Sequence, residues 1–192
     1  DKLNMTLLAL NLSKYINGVA KRHGEVSREM FPGYSIDSIT NGIHSYTWSH
    51  PSFKGLYDRY IPGWAGDPFS LRYAISIPQE EIWQAHLEAK KELIDYVNKE
   101  ANSGLDYETF TVGFARRATL YKRMDLVFSD INRLCCICEK RGKIQFIFSG
   151  KSHPQDWQGK ELIRKVFEFS RQLKDKMKIV YLENYDMDIA KA

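Results

Sequence analysis

The feature that most constrains the fold is a change of rhythm at about residue 108. From there, short apolar runs alternate with segments of helical length and pattern. The runs at Phe110–Phe114, Ile144–Ser149 and Ile179–Glu183 predict strands, and residues 121–141 and 157–173 predict helices. Continuous apolar strands separated by helices are typical of a parallel sheet with helices on its faces.

We therefore predict an α/β fold with two parts. Residues 1–106 would form a helical N-terminal half with an aromatic loop region. Residues 107–192 would form an incomplete Rossmann-like parallel βαβαβ unit, with another helix beginning near Ala192. The chain lacks an initiator Met and opens inside a helical pattern, so we expect it to be an excerpt of a longer protein.

Four fixed positive charges lie where the first strand of this unit ends. Arg116 and Arg117 follow the strand, and Lys122 and Arg123 open the next helical pattern. Ligands of open α/β sheets bind at the carboxyl ends of strands, and helix N-termini attract anions. Phosphate is therefore the first ligand to expect, and a solvated basic patch without a ligand is the alternative.

A second candidate phosphate loop follows the next strand, at Ser149-Gly150-Lys151-Ser152. A nucleotide P-loop needs another glycine five residues before Gly150, but that position is Gln145, inside the strand. We reject a nucleoside-triphosphate site. Lys151 can still add a positive charge to the edge that carries Arg116 and Arg117.

Composition and motifs exclude several other classes. The net charge of +4 is too small to indicate nucleic acid, and no apolar run approaches the length of a membrane span. Dinucleotide, zinc and serine-hydrolase motifs are missing. The three cysteines, Cys135, Cys136 and Cys138, are typical of core residues in a reducing cytosol, which predicts a cytoplasmic protein.

The N-terminal half predicts helices around a region rich in turns. Residues 5–31 have helical periodicity that Asn17-Gly18 and then Gly24 interrupt. This indicates either a helix–turn–helix corner or a close approach of other backbone. Residues 32–70 predict an ordered aromatic loop, which is either a set of stacking faces for a sugar or cofactor, or a wrapped edge of the core.

A long surface helix is predicted over residues 78–101, before a linker at 102–106. Pro78 suits its first turn, and Glu80 and Glu81 suit the positive end of its dipole. The predicted apolar stripe includes His86, which we interpret as a residue at the edge of the core rather than a ligand.

Five segments, in order, resemble the α-glucan (glycogen, maltodextrin or starch) phosphorylases, in particular their short prokaryotic type. They cover almost the whole chain. The segments are ALNLSKYINGVAKRHGEVSREMF, ITNGIHSYTW, GFARRATLYKR, FSGKSHP with the later GK, and VYLENYDMDIA.

The resemblance implies a two-domain GT-B enzyme that transfers a terminal glucosyl unit of an α-1,4-glucan to inorganic phosphate, giving glucose 1-phosphate. It implies pyridoxal phosphate as cofactor, acting through its phosphate group, and it allows a homodimer. By position, the implied site residues are Arg116 near the cofactor phosphate, Arg117 and Lys122 on the substrate phosphate, Tyr121 beside the glucosyl site, Asn41 on the glucosyl hydroxyls, and Trp48 in the cofactor pocket. Fixed cations suit a reaction between two phosphates.

The sequence departs from the family pattern at two positions. Lys14 stands where long-type phosphorylases have a His, and Asp186 stands where they have an Arg, so neither role transfers. The family's cofactor lysine follows the Leu-Glu-Asn-Tyr motif in a glycine-rich segment ending in Met-Lys that is not in this chain, so we expect the chain alone to be inactive. A nucleotide-sugar glycogen or starch synthase and a non-catalytic glucan-binding module remain the alternatives.

Overall fold

The computed structural model describes residues 3–183 and 185–191, and the chain divides into two compact units, residues 1–45 and 46–192. The helices are α1 (Met5–Leu12), α2 (Lys21–Met30), α3 (Ser45–Trp48), α4 (Pro51–Tyr60), α5 (Gln79–Ala101), α6 (Ile131–Arg141), α7 (Trp157–Gln172) and α8 (Met187–Lys191). The strands are β1 (Asn17–Gly18), β2 (Asp37–Ser38), β3 (Phe110–Ala115), β4 (Ile144–Ser149) and β5 (Lys178–Leu182).

In the first unit, the break at Asn17-Gly18 is a close approach of backbone. These two residues form β1, which pairs in parallel with β2. A Cβ atom on Gly18 would lie 2.6 Å from the backbone nitrogen of Gly24. The predicted second interruption at Gly24 is wrong, because Gly24 is buried inside α2, where the missing side chain lets the helix approach Ser38.

In the second unit, the predicted aromatic loop contains helix α4, so the loop prediction is wrong for this stretch. Pro51 occupies the first turn, and the His50 side chain accepts a hydrogen bond from Ser52 N. Trp64 is only 1% exposed, and its indole N–H donates to Asp58 Oδ1 at 2.8 Å. Of the two interpretations of the aromatic region, a wrapped edge of the core therefore describes much of it.

The long helix predicted over residues 78–101 is confirmed as α5, but the interpretation of His86 is wrong. The buried positions of α5 are Ala85, Ile94 and Val97. His86 is exposed and stacks on Trp83, with 5.0 Å between the ring centroids. The buried face is rotated from the predicted stripe because α5 packs on α4 along one part and on the sheet along another.

The predicted parallel sheet is confirmed, in the order β3-β4-β5. One face packs Phe146 and Phe148 against Val166 of α7. The other face packs Ile147 and Val180 in a second cluster with α5. This mixed α/β arrangement is consistent with a Rossmann-like unit, and the predicted domain boundary at 106/107 stays a prediction.

The helix predicted over residues 121–141 is wrong in its first half. Two short 3-10 turns, Leu120–Lys122 and Leu126–Phe128, occupy this stretch. Arg123 between them has φ of 54°, a left-handed conformation that interrupts a right-handed helix. α6 begins only at Ile131, so Lys122 does not lie at the N-terminus of a helix.

The last described helix, α8, begins earlier than expected. The carboxylate of Asp186 accepts hydrogen bonds from the N–H groups of Asp188 and Ile189, each at 3.0 Å, and so caps the helix. Ala192, near which we expected a helix to begin, lies outside the described residues. Within the described ranges, no helix has both the length and the apolar character needed to cross a membrane.

Candidate anion site at the carboxyl edge of the sheet

The loops after β3 and β4 lie side by side at the carboxyl edge of the sheet. The backbone N–H of Arg116 donates to the Ser149 carbonyl at 3.1 Å, and that of Ala118 donates to the Lys151 carbonyl at 3.0 Å. Parallel pairing places Ala115 opposite Ser149, so both strands end at the same level. The prediction that Lys151 shares this edge with the two arginines is confirmed.

The cations of this edge have no carboxylate partner among the residues that the structure describes. Arg116, Arg117 and Lys151 are exposed, and Lys122 is half-buried. Within the part of the chain that the structure describes, none of the four forms a salt bridge. The Lys122 ammonium instead lies 4.7 Å from the centroid of the Tyr121 ring. Unpaired cations on one edge create a positive potential that attracts an anion.

Two tyrosine hydroxyls donate hydrogen bonds to backbone carbonyls where β3 and β4 end. Tyr181 donates to the Gly150 carbonyl at 2.7 Å, and Tyr185 donates to the Ala115 carbonyl at 3.2 Å. Burial, followed by the charge of Glu183, raises the pKa of Tyr181 to about 12, so this hydroxyl keeps its proton near neutral pH. Sequence reasoning missed both contacts, since an aromatic residue at a strand end gives no sign of its hydrogen-bond partner.

The first turn of α7 also contacts the segment that carries the arginines. Asp156 caps this turn by accepting from Gly159 N at 2.9 Å. Gly159 is buried, and its backbone faces the Ala118 carbonyl. Next to Ala118, the buried hydroxyl of Thr119 has no hydrogen-bond partner among the described residues.

The remaining predicted site residues lie elsewhere in the two units. Asn41 belongs to the first unit and is exposed, with its backbone N–H donating to the Val19 carbonyl at 3.1 Å. Trp48, in the second unit, is 43% exposed and can offer a ring face. Their roles stay predictions, as do those of the basic residues, and Asn184 of the Leu-Glu-Asn-Tyr motif lies outside the described residues.

Lys14 and Asp186 are the two positions at which the sequence departs from the family pattern. Lys14 is exposed in the first unit. The Asp186 carboxylate is engaged in capping α8. Neither observation indicates that Lys14 or Asp186 takes over the role of the His or Arg that long-type phosphorylases have at these positions.

The cysteines show no sign of a metal site. Cys135 is buried and Cys138 packs partly against the same core, where burial raises the pKa of the Cys138 thiol. Among residues 3–183 and 185–191, no cluster of three His, Cys, Asp or Glu side chains is placed to hold a metal ion. The interpretation as core residues fits Cys135 and Cys138, whereas Cys136 is half-buried and does not belong to this core cluster.

A cavity of about 400 Å³ lies at the opposite, amino edge of the sheet. Its lining includes Asp106, Lys143, Lys174 and Lys178. It contains none of the predicted site residues, so this hollow and the predicted anion site are at different ends of the same strands.

Comparisons with known proteins identify the family. The family described as "Carbohydrate phosphorylase" matches residues 1–192. The chain is 40% identical to a maltodextrin phosphorylase of Thermococcus litoralis, with 100% of this chain and 26% of the relative covered. It is 36% identical to a glycogen phosphorylase of Aquifex aeolicus, with 97% and 31% covered, and 32% identical to one of Mycobacterium tuberculosis, with 99% and 25% covered.

The chain therefore spans about a quarter to a third of the length of these relatives. The match extends over both compact units and over the edge that carries Arg116, Arg117 and Lys122. The chain belongs to the carbohydrate phosphorylase family.

Proposed function

We propose that this chain is a segment of an α-glucan phosphorylase, which transfers the terminal glucosyl unit of an α-1,4-glucan to inorganic phosphate and releases glucose 1-phosphate. The observation that supports this most is a set of cations at the carboxyl edge of the sheet that have no carboxylate partner among the described residues. The chain that carries them belongs to the carbohydrate phosphorylase family. A phosphorolytic enzyme has to hold a phosphate dianion beside the sugar, on which positive charge develops in the transition state. Fixed cations bind the dianion in place with little reorganisation.

The roles proposed for the basic residues follow from their chemistry. Arg117 would bind phosphate through the planar fork of its guanidinium group, and Lys122 would add a point charge from the following turn. Tyr121, whose ring is beside the Lys122 ammonium, would lie at the glucosyl site. Asn41 would hydrogen-bond the glucosyl hydroxyls.

The residues present also fit pyridoxal phosphate. Arg116 is exposed without a carboxylate within salt-bridge distance among the described residues, so its charge is available to a cofactor phosphate. The exposed ring of Trp48 is suited to line the pocket of a planar group. When bound, the cofactor would supply its phosphate group as an acid and base.

Three finer features belong to the same proposal. The sheet of 107–192 would be the start of the C-terminal domain of a GT-B fold. The enzyme would be cytoplasmic, as its three free cysteines, of which Cys135 is buried, favour a reducing compartment. It would act without nucleic acid or a membrane, and a homodimer is the assembly we propose.

The chain by itself should not catalyse the reaction. Its one Met-Lys pair is Met177-Lys178, at the start of β5 and outside any glycine-rich segment. The Lys178 ammonium donates to the Gly104 carbonyl at the amino edge of the sheet, away from Arg116. Glucose 1-phosphate formed by the purified 192-residue chain from maltoheptaose and phosphate would contradict this expectation.

A product assay on the full-length enzyme tests the function. With maltoheptaose and phosphate, we expect glucose 1-phosphate together with maltohexaose. Elongation of maltoheptaose from a nucleotide sugar, without phosphorolysis, would instead establish a glycogen or starch synthase. Glucan binding without either reaction would establish a binding module.

A further inference from the structure

Two glycines enclose the backbone that carries the arginines. Gly150 belongs to the loop after β4, and a Cβ atom there would lie 2.0 Å from the Arg116 carbonyl oxygen. Gly159 belongs to the first turn of α7, and its Cβ would lie 2.2 Å from the Ala118 carbonyl oxygen. The segment 116–118 is therefore contacted by a glycine from each of two separate elements.

Backbone conformation does not explain these glycines. The glycines with positive φ are Gly33, Gly63, Gly104 and Gly142, and neither Gly150 nor Gly159 is among them. Gly159 even lies inside a helix, where glycine is unfavourable compared with alanine. The physical reason that remains is space, because both obstacles are main-chain carbonyls that no change of rotamer can move aside.

A displacement of the segment 116–118 would also change the positions of Lys151 and Lys122, because Lys151 is hydrogen-bonded to this segment and Lys122 to the residue that follows it. The Arg116 and Ala118 N–H groups bond to the Ser149 and Lys151 carbonyls. On the far side, the Thr119 carbonyl accepts from Lys122 N at 3.0 Å. Ordinary contact needs about 3.4 Å, so an added methyl group would displace the segment by more than about 1 Å.

We infer that Gly150 and Gly159 are positioning residues for the phosphate site: they set where the backbone of 116–118 lies, and so where Arg117 meets phosphate relative to Lys122. This inference rests on the proposed function and deepens it. Neither glycine touches phosphate, and both act through the arginine-bearing backbone. Because a displacement of about 1 Å in an active site costs up to about a hundredfold in rate, the effect is measurable.

Steady-state kinetics of the full-length enzyme test the inference with Gly159→Ala and Gly150→Ala. We expect KM for phosphate to rise about tenfold or more in both, while KM for maltoheptaose changes by less than about twofold. Gly113→Ala is the matched control: Gly113 lies in β3, three residues before Arg116, has no neighbour within 4 Å and should leave both values unchanged.

The possible outcomes separate this inference from the proposed function. If the full-length enzyme forms no glucose 1-phosphate from maltoheptaose and phosphate, the proposed function fails. If it forms glucose 1-phosphate but Arg117→Ala leaves phosphate kinetics unchanged, the proposed function stands, whereas the role proposed for Arg117 and the positioning inference that depends on it are overturned. If Arg117→Ala impairs phosphate use but both glycine variants match Gly113→Ala, only the positioning inference is overturned. Circular dichroism completes the test: if both glycine variants fail to fold, these glycines serve the fold and the inference is overturned as well.

Discussion

The two edges of the three-stranded sheet are both basic, but their charges are balanced in different ways. At the carboxyl edge, Arg116, Arg117, Lys122 and Lys151 have no carboxylate within 4 Å among the described residues. At the amino edge, Lys176 and Lys178 have partners within the protein. The number of cations is thus a poor guide to an anion site, and what each cation already binds is a better one.

The amino edge shows what satisfied lysines look like. The Lys176 ammonium lies 3.6 Å from Glu139 Oε1, and that of Lys178 donates to the Gly104 carbonyl. Lys143 and Lys174 follow the carboxyl ends of α6 and α7, where unpaired carbonyls and the helix dipoles favour positive charge. These charges have a structural explanation, whereas those of the carboxyl edge do not.

The largest effect should come from removing one carboxyl-edge cation. In the full-length enzyme, Arg117→Ala should reduce kcat/KM for phosphate by the equivalent of about 2–4 kcal/mol, because the lost group stabilises charge in the transition state. Lys176→Ala, at the amino edge, is the control and should leave phosphate kinetics unchanged. Equal effects of the two substitutions would remove the distinction between the edges.

The next effect concerns the buried amide that anchors the amino edge. Gln145 is 1% exposed, donates to the Asp106 carbonyl and Thr111 Oγ1, and accepts from Asp106 N. Gln145→Leu leaves these partners unsatisfied and should lower the free energy of unfolding of the chain by about 2–3 kcal/mol, measured with urea. The same change at exposed Gln172 should cost less than about 0.5 kcal/mol. A Gln145 variant as stable as the Gln172 variant would show that this network contributes little.

High pH should weaken the carboxyl edge through Tyr181. Its pKa is raised by burial to about 12 in the folded chain, above the usual 10.0. The folded state therefore holds a proton that the unfolded state loses, and stability falls as pH rises from about 10 to 12. Tyr181→Phe should remove about 1–2 kcal/mol of this loss, after allowance for solvent access to the ring. Parallel urea titrations of the wild type and variant check this, and identical slopes between pH 10 and 12 would refute it.

The smallest effect should be a gain of stability at Thr119. Its buried hydroxyl has no partner among the described residues, so Thr119→Val removes an unsatisfied polar group and should stabilise the chain by about 1 kcal/mol. Thr111→Val is the matched control, because Thr111 Oγ1 accepts from Gln145 and donates to the Thr109 carbonyl. The two substitutions should change the urea midpoint in opposite directions, and a loss in both would show that Thr119 has a partner in solution.

The sequence predicted those parts of the fold that depend on local pattern. The continuous apolar run of β4 and the periodicity of α7 were sufficient, since buried strands and amphipathic helices follow from which side chains avoid water. Helix was wrongly predicted over the stretch 121–130 because nothing in its composition shows that Arg123 adopts a left-handed conformation. A loop was wrongly predicted at α4 because Pro51 is typical of turns, although a proline also suits the start of a helix.

The candidate site was predictable only in outline. Parallel strands that end together bring Arg116 close to Lys151, and this followed from the strand assignments alone. Contacts at separations of tens of residues, such as Gly159 against Ala118 and Tyr181 on Gly150, depend on the final packing of α7 and β5. A pattern of hydrophobic and polar residues does not carry that information.

We propose above all that the carboxyl edge of the sheet, and not the amino edge, binds phosphate. A crystal structure of the full-length enzyme with phosphate and maltoheptaose tests it most directly. We expect a phosphate whose oxygens lie about 2.7–3.2 Å from the Arg117 guanidinium and the Lys122 ammonium. A phosphate bound instead among Lys143 and Lys174, with none at Arg117, would contradict it.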